Sequence, residues 1–222
     1  MSVHPIHGRI HHGSGEDARL RINRNSRIVI IKVVYYGPGF CGKTTNIVGL
    51  HEGYAAAQRG ELIKLDTETE RTLFFDYFPL DLGAVNGHRV KLDLFTVPGQ
   101  SFYQLTRQAV LENVDGIVFV ADSRPDREEA NLVSKEDLAQ SLAVRGRSLD
   151  NIPHVYQWNK RDVRNAIPVR LLERSLNPER APSIEAVASN RVGIHETHTL
   201  LLEQLMARLF KRPAPSAEQA NA

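Results

Sequence analysis

A phosphate-binding pattern near the start of the chain constrains the fold more than any other stretch. The segment IVIIKVVYYGPGFCGKTTN, residues 28–46, passes from an apolar, β-branched run through a short loop into Gly42, Lys43 and Thr44. It fits G-x-x-x-x-G-K-[ST] in the strand–loop–helix setting that the pattern requires. A glycine-rich turn that happens to contain a lysine is the plain alternative. The flanking strand and helix fall where the mechanism needs them, so a phosphate loop is predicted.

Each group in this loop has a chemical role. Glycines let the backbone turn its N–H groups towards a polyphosphate, and the following helix adds free amides and the positive end of its dipole. Lys43 is expected to reach the outer phosphates, and the Thr44 hydroxyl is expected to bind Mg²⁺. The residues predicted to bind the nucleotide here are Gly37, Gly39, Phe40, Cys41, Gly42, Lys43, Thr44 and Thr45.

The composition indicates one globular domain. The chain has 222 residues, 41% hydrophobic and 24% charged, and a formal net charge of +2 that gives no reason to expect nucleic acid as a partner. Cys41 is the single cysteine, so no disulfide can form within the chain. The sequence shows no signal peptide, membrane span or lipidation motif, so a cytoplasmic protein without a lipid anchor is expected.

The two ends of the chain differ in composition from its middle. Residues 1–26 are polar and are predicted to form a flexible arm, and residues 212–222 are predicted to form a disordered tail. Four histidines lie in the arm: His4, His7, His11 and His12. They could ligate a metal, but no acidic or cysteine partner lies nearby at a ligand spacing. Residues 27–211 are predicted to form the functional domain.

Strands and helices alternate through this domain. Strands are predicted at 27–36, 72–80, 88–97, 116–121, 154–158 and 184–188, and helices at 45–57, 101–111, 127–144, 169–175 and 193–211. Asn86-Gly87 is a hairpin signal and the single antiparallel step expected. The alternation predicts an α/β fold with a mostly parallel sheet, helices on both faces and one antiparallel edge hairpin. Ligands of such sheets bind beyond the carboxyl ends of the strands.

A guanine-binding pattern, N-K-x-D, follows the strand HVYQW as Asn159, Lys160 and Asp162. The Asp162 carboxylate can accept hydrogen bonds from N1–H and the 2-amino group of guanine, and adenine offers no such pair. Asn159 is expected to brace the base and the phosphate loop, and the stem of Lys160 to cover the ring. Any solvated turn can contain these letters, but their place after a phosphate loop and a strand favours guanine binding.

Two further loops are candidates for sensing a γ-phosphate. After the third strand, the Gly99 amide could meet that phosphate and Gln100 could orient an attacking water, although a Pro-Gly turn would explain the letters equally well. In the segment 66–72, a threonine hydroxyl would complete the Mg²⁺ shell, and chemistry alone leaves Thr67, Thr69 and Thr72 open. Arg71 beside them is a candidate arginine finger supplied by the same chain, although these residues alone are explained equally by a surface arginine.

These motifs together resemble a Ras-like small GTPase of the bacterial MglA family, the polarity and gliding-motility GTPases. The resemblance covers residues 27–211 and rests on VYYGPGFCGKTTN, TETERTLFFDYFPL, TVPGQ, GIVFVADS and WNKRD. It implies that Thr72 is the switch threonine and a Mg²⁺ ligand, that Arg71 is the arginine finger and that Gln100 positions water. It also implies hydrolysis of GTP to GDP, control of cell polarity, and a dimeric roadblock-fold regulator (MglB-like).

The sequence departs from the general Ras-like pattern at two places. Thr96 replaces the aspartate that usually holds a Mg²⁺-bound water, so Mg²⁺ affinity is expected to depend on Thr44 and the phosphates. Asp76 is the candidate for a further carboxylate, and the alternative is a strand residue that faces solvent. By the same resemblance, the loop that shields guanine is Ala188, Ser189 and Asn190, without the usual lysine.

Three functions are compatible with a phosphate loop. The favoured one is a switch that hydrolyses GTP slowly. Protein partners are expected to recruit it to the cell poles. The second is a nucleotide-loaded scaffold without meaningful turnover, which the combination of Lys43, Thr44, Thr72 and Gln100 argues against. The third, an ATP-dependent enzyme, conflicts with Asp162.

Overall fold

The computed structural model describes residues 21–23, 27–65, 75–99 and 103–210, with the backbone alone for 21–23 and Leu65. The strands are β1 (Arg21–Asn23), β2 (Ile28–Tyr36), β3 (Ile63–Leu65), β4 (Phe75–Val85), β5 (His88–Thr96), β6 (Gly116–Asp122), β7 (His154–Asn159) and β8 (Ser183–Glu185). The helices are α1 (Lys43–Gly53), α2 (Gln104–Val110), α3 (Glu128–Ala143), α4 (Val169–Leu176) and α5 (Ile194–Leu209). No described helix combines the length and apolar character that a bilayer span requires.

The strands form one mixed sheet in the order β3-β4-β5-β2-β6-β7-β8. Strands β5, β2, β6, β7 and β8 run parallel, which confirms the predicted α/β fold. The hairpin between β4 and β5 turns at Asn86-Gly87, where φ is 48° and 78°, as the hairpin signal predicts.

Two antiparallel pairings were not predicted. Strand β3 pairs with β4 and forms the edge of the sheet, so the hairpin does not lie at the edge. Strand β1 pairs with residues 28–30 of β2, ahead of Val33, where β6 begins to pair with the same strand. Each of these strands has only three residues, which is too short for a periodic pattern to appear in the sequence.

The predicted boundaries mostly agree with the structure. Strand β1 lies within the range predicted as a flexible arm. The rest of that arm, residues 1–20 and 24–26, and the tail from residue 211 lie outside the described residues. The domain boundaries at 26 and 211 therefore stay predictions. The last strand was predicted to reach Ala188 and this end is wrong, because Ala188–Asn190 form a 3-10 turn. That turn is closed by a bridge between Val187 and Val192.

The central strands are buried on both faces. Odd-numbered residues of β2, such as Val33, pack in one cluster with Ile47 of α1 and Leu201 of α5. Even-numbered residues, such as Val34, pack in a second cluster with Leu138 of α3. Because both faces are covered, these strands read as continuous apolar runs in the sequence. The carboxyl ends of β2, β5, β6 and β7 meet at one edge of the sheet, and that edge carries the candidate site.

A buried histidine makes the stability of the domain depend on pH. His198 of α5 packs edge-on against Tyr54, and neither ring nitrogen has a hydrogen-bond partner among the described residues. Burial, with the nearby His195, lowers the pKa of His198 from 6.5 to about 4. The unfolded chain therefore takes up the proton first, so the stability from this group is complete above pH 6.5 and is lost as the pH falls towards 4.

Replacing His198 by leucine should remove this dependence. The free energy of unfolding of the unmodified chain, measured in urea, should fall between pH 7 and pH 4 by about 3 kcal/mol more than that of His198→Leu. His195→Leu is the comparison on the same helix: His195 is exposed, and its removal should take away only the smaller part of the dependence, because burial is the larger cause of the lowered pKa of His198. Parallel pH curves for the unmodified chain and His198→Leu would contradict the assignment.

Candidate functional site

The predicted phosphate loop connects β2 to α1 with two glycines in the left-handed region. Gly37 has φ of 141° and Gly42 has φ of 107°. A Cβ atom at Gly37 would lie 2.2 Å from the Val120 carbonyl oxygen, and one at Gly42 would lie 2.3 Å from Nδ2 of Asn159. Both positions therefore require glycine, for backbone conformation and for the close approach of β6 and β7.

Lys43 begins α1 and lies buried beneath the loop. Its Nζ donates hydrogen bonds to the carbonyl oxygens of Gly37, at 2.8 Å, and Pro38, at 2.7 Å. Burial lowers the pKa of its ammonium group. The neighbouring Cys41 is also buried, and burial raises the pKa of its thiol, so this side chain is an inert packing group. The loop is thus closed around the Lys43 ammonium group, and a buried cation suits a polyphosphate ligand.

Three oxygen-bearing side chains meet beside Lys43. The Thr44 hydroxyl donates to Oδ2 of Asp76 at 2.5 Å, and the Thr96 hydroxyl donates to the same oxygen at 3.0 Å. Thr96 also accepts from the backbone N–H of Asp76 at 2.8 Å, which holds β4 against β5 at this point. Asp76 therefore faces the phosphate loop, not open solvent. A carboxylate with hydroxyl groups is a donor set that suits Mg²⁺.

The loops that follow β2 and β5 touch each other. A Cβ atom at Gly99 would lie 2.3 Å from Cα of Gly39, so the contact between the two backbones leaves no room for a side chain. A cavity of about 760 Å³ opens between these loops and β4. The predicted residues that line it are Gly39, Phe40, Gly42, Lys43, Thr44, Thr45 and Gly99, and Asp76 and Thr96 line it as well.

The predicted guanine loop lies next to this cavity and is joined to it by Asn159. This buried side chain donates from Nδ2 to the Cys41 carbonyl oxygen at 2.8 Å, and its Oδ1 accepts from the Ala188 N–H at 2.9 Å. Lys160 donates to the Phe40 carbonyl oxygen at 2.6 Å. One amide side chain thus connects the phosphate loop, the N-K-x-D loop and the loop predicted to shield guanine.

The remaining predicted residues of this region are exposed. Asp162, Ser189 and Asn190 lie at the surface, and they do not line the cavity. Phe40 is 82% exposed and has φ of 63°. An exposed carboxylate and an exposed aromatic ring are free to contact a ligand without first breaking internal contacts.

The predicted catalytic residues, Arg71 and Gln100, lie outside the described residues. The predicted Mg²⁺ ligand Thr72 and its alternatives Thr67 and Thr69 also lie outside them. Their roles stay predictions. In the described part of the chain, no three His, Cys, Asp or Glu side chains cluster in a way that could hold a metal. A Mg²⁺ ion here would therefore depend on hydroxyl groups, Asp76 and phosphate oxygens.

Sequence reasoning missed two residues beside the phosphate loop. Asp122 ends β6 and is fully buried, with Lys160 donating to its Oδ2 at 2.7 Å. Arg127, just before α3, donates to the Gly39 carbonyl oxygen at 2.8 Å. The signal for Asp122 was a carboxylate at the end of an otherwise apolar strand, GIVFVAD. No sequence signal marks Arg127, because its partner is 88 residues away.

Comparison with known proteins finds one extensive similarity. No protein-family model matches the chain. The chain is 47% identical over 190 residues to the mutual gliding-motility protein MglA of Myxococcus xanthus (strain DK1622), and the matched part covers 86% of this chain and 97% of that protein. Identity at this level over nearly the whole relative cannot arise from the phosphate-loop and N-K-x-D motifs alone.

Proposed function

This chain belongs to the MglA family of Ras-like small GTPases, and on that premise we propose that it binds GTP and GDP with Mg²⁺ and hydrolyses GTP to GDP and phosphate. The observation that carries the proposal is the position of Asn159, whose amide bonds both to Cys41 and to Ala188. This contact supports one continuous nucleotide site, with the phosphates on one side of Asn159 and the base on the other.

The phosphate half of the site would hold the negative charge of the nucleotide. The Lys43 ammonium is already desolvated, so its attraction to a β- or γ-phosphate is screened less than it would be at the surface. Backbone N–H groups at the start of α1 would add further donors. Gly99, whose backbone touches Gly39, would bring the loop after β5 close to a γ-phosphate.

The residues present fit a Mg²⁺ ion. Thr44 and Asp76 would hold it, directly or through water, together with Thr72 as the ligand that depends on the γ-phosphate. When bound, the ion would neutralise charge on the β- and γ-phosphate oxygens. Thr96 would keep Asp76 oriented, because it bonds to both the carboxylate and the N–H of that residue.

The base half of the site would select guanine. Asp162 would accept the two hydrogen bonds from N1–H and the 2-amino group, and its exposure leaves it able to do so. The stem of Lys160 would cover one face of the ring. The loop Ala188, Ser189 and Asn190 would shield the guanine oxygen with backbone N–H groups.

Hydrolysis would depend on residues of the two loops predicted to sense a γ-phosphate, the segment 66–72 and the loop after β5. We propose that Gln100 orients the water that attacks the γ-phosphate and that Arg71 stabilises the charge that develops in the transition state as GDP leaves. Turnover would be slow until a regulator of the roadblock fold, acting as a dimer, stabilises the active arrangement. The name of the M. xanthus relative points to a role in gliding motility. We propose that the chain acts in motility or cell polarity, in the cytoplasm, and that protein partners recruit it.

Competition binding tests the proposed specificity. Displacement of a fluorescent GDP analogue from the purified chain should require about 10³-fold less GDP or GTP than ADP or ATP, because adenine leaves the Asp162 carboxylate unpaired. Displacement by ATP at the concentrations that suffice for GTP would instead favour an adenine-nucleotide enzyme.

Asp76 can be tested as the carboxylate that replaces the missing aspartate at position 96. Asp76→Asn keeps the size of the side chain and removes its charge, so we expect the Mg²⁺ concentration needed for slow GDP release to rise by about 10- to 100-fold. The measurement is the GDP dissociation rate across a Mg²⁺/EDTA titration.

Asp93→Asn is the matched control for this substitution. Asp93 lies on the neighbouring strand β5, is half-buried and accepts from the Tyr77 hydroxyl at 3.0 Å, away from the cavity. A Mg²⁺ dependence of Asp76→Asn that coincides with that of Asp93→Asn would show that Asp76 has no part in metal binding.

A further inference from the structure

We propose that Asp122 is a positioning residue for guanine nucleotides: it holds Lys160 and the phosphate loop in the binding geometry before a nucleotide arrives. This inference rests on the proposed function, because Lys160 and the phosphate loop are its nucleotide-binding parts. Asp122 itself is buried beneath them and is assigned no contact with the nucleotide.

The Asp122 carboxylate accepts hydrogen bonds from two cations. Its Oδ2 lies 2.7 Å from Nζ of Lys160 and 2.9 Å from Nη2 of Arg124. Its Oδ1 accepts from the backbone N–H and from Nε of Arg124, each at 3.1 Å. Burial alone would raise the pKa of Asp122, but the hydrogen bonds from Arg124 and Lys160 hold that pKa below its ordinary value. The group is therefore charged at neutral pH.

Lys160 bridges the carboxylate and the phosphate loop. Its Nζ donates to Asp122 and, at 2.6 Å, to the carbonyl oxygen of Phe40. Lys160 also has φ of 64°, so the backbone at this point is in an uncommon conformation for a side chain. These two acceptors already hold the ammonium group at the end of the flexible Lys160 side chain. The side chain therefore has less rotamer freedom left to lose when it binds a base.

Arg127 connects the same carboxylate to a second point of the phosphate loop. Its Nη2 donates to the Gly39 carbonyl oxygen at 2.8 Å, and its Nε lies 4.0 Å from Oδ2 of Asp122. That Nε is buried and has no hydrogen-bond partner among the described residues, so the ion pair with Asp122 offsets its desolvation. Gly39 and Phe40 are thus held through cations that share one counter-ion.

The backbone of Asp122 is fixed independently of the loops. Asn131 of α3 accepts from the Asp122 N–H at 2.9 Å and donates to the Asp122 carbonyl oxygen at 2.8 Å. Asn131 is fully buried. The carboxylate therefore projects from a rigid strand end, and the surrounding loops take their positions from it.

The central test is the rate at which GDP and GTP leave Asp122→Asn. The amide keeps the shape of the carboxylate but removes the charge, so Lys160 and Arg127 lose their shared counter-ion. We expect dissociation of a fluorescent GDP analogue to become about 10- to 100-fold faster, with a similar change for GTP, because the γ-phosphate has no part in this cluster. An unchanged dissociation rate would overturn the inference.

A matched control separates positioning from a general loss of stability. Glu179 pairs with Lys135 of α3 at 2.5 Å in another partly buried ion pair, and that pair does not contact the phosphate loop. Glu179→Gln should lower the melting temperature and leave GDP dissociation unchanged. If Asp122→Asn and Glu179→Gln change melting temperature and dissociation rate in the same proportion, Asp122 has only a structural role.

A double-mutant cycle tests whether Asp122 acts through Lys160. Adding Asp122→Asn to Lys160→Ala should speed GDP release by only about three- to tenfold, less than Asp122→Asn does in the unmodified chain, because Lys160 is already absent and only the contact through Arg127 remains to be lost. Additive effects would overturn the mechanism. If Asp122→Asn does not fold, Arg127→Gln tests the same cluster at a side chain that is partly exposed. We expect GDP release to become about three- to tenfold faster. An unchanged rate would contradict the inference.

GDP binding by the unmodified chain separates a failure of the proposed function from a failure of the inference about Asp122. If it does not bind GDP at all, the proposed function has failed. If it binds GDP and Asp122→Asn releases GDP at the same rate, the inference about Asp122 alone has failed.

Discussion

Asp162→Asn should transfer the preference of the chain from guanine to xanthine nucleotides. The carboxylate of Asp162 can accept two hydrogen bonds, whereas an amide offers one acceptor and one donor. Guanine presents two donors to this position, but xanthine presents a carbonyl oxygen where guanine has its 2-amino group. We therefore expect GDP affinity to fall by about 10³-fold or more and xanthosine diphosphate affinity to rise. Asparagine with guanine, and aspartate with xanthine, each leave a polar group without a hydrogen-bond partner.

Asparagine at position 162 should change base recognition without disturbing the fold. Asp162 is exposed in the loop after β7, so changing it to asparagine removes no internal packing. Displacement of labelled GDP by unlabelled GDP and by xanthosine diphosphate gives both affinities in one experiment. Asp126→Asn, in the loop after β6, is the control because Asp126 is another exposed carboxylate. Equal GDP affinities of Asp162→Asn and Asp126→Asn would contradict the base contact.

Arg71→Ala should abolish partner-stimulated hydrolysis while leaving nucleotide affinity intact. An arginine that stabilises transition-state charge contributes about 10³- to 10⁵-fold to turnover in GTPases, and its loss does not remove contacts made in the ground state. Gln100→Ala should lower turnover by about 100-fold or more, because the attacking water is no longer oriented. Single-turnover phosphate release with a roadblock-type partner measures the rate of hydrolysis, and equilibrium binding of a fluorescent GDP analogue measures nucleotide affinity.

The control for these two variants is a distant surface arginine. Arg89 pairs with Asp81 in the β4–β5 hairpin, and its side chain is 63% exposed. Arg89→Ala should hydrolyse GTP at the unmodified rate. If Arg71→Ala and Gln100→Ala reach the full partner-stimulated rate as well, their proposed roles are wrong.

The sequence was sufficient to predict the α/β fold and the strand–loop–helix arrangement from Ile28 to Gly53, because each depends on local spacing. Glycines that bend the backbone between a strand and a helix, and a lysine that begins the helix, form a pattern within a few residues. The hairpin at Asn86-Gly87 was predictable for the same reason. Strands β1 and β3 were not, because three residues carry no usable periodicity and their pairing is decided by the neighbouring strands.

Contacts between distant segments account for the rest. The sequence named Asp76 as a candidate, but only the register between β4 and β5 brings its carboxylate to Thr44 and Thr96. The sequence does not show the role of Asp122, because its partner Lys160 is 38 residues away. The role of a buried charge depends on the counter-ions that surround it, and the order of the strands determines which counter-ions are near.

The most direct measurement of the central proposal is phosphate release from GTP and from ATP under single-turnover conditions, with the purified full chain, Mg²⁺ and a dimeric roadblock-type partner. The proposal predicts slow release from GTP by the chain alone, a marked acceleration with the partner, and no release from ATP. No release from GTP in the presence of the partner would contradict hydrolysis and leave a nucleotide-loaded scaffold. Release from ATP as fast as from GTP would contradict guanine selection by Asp162.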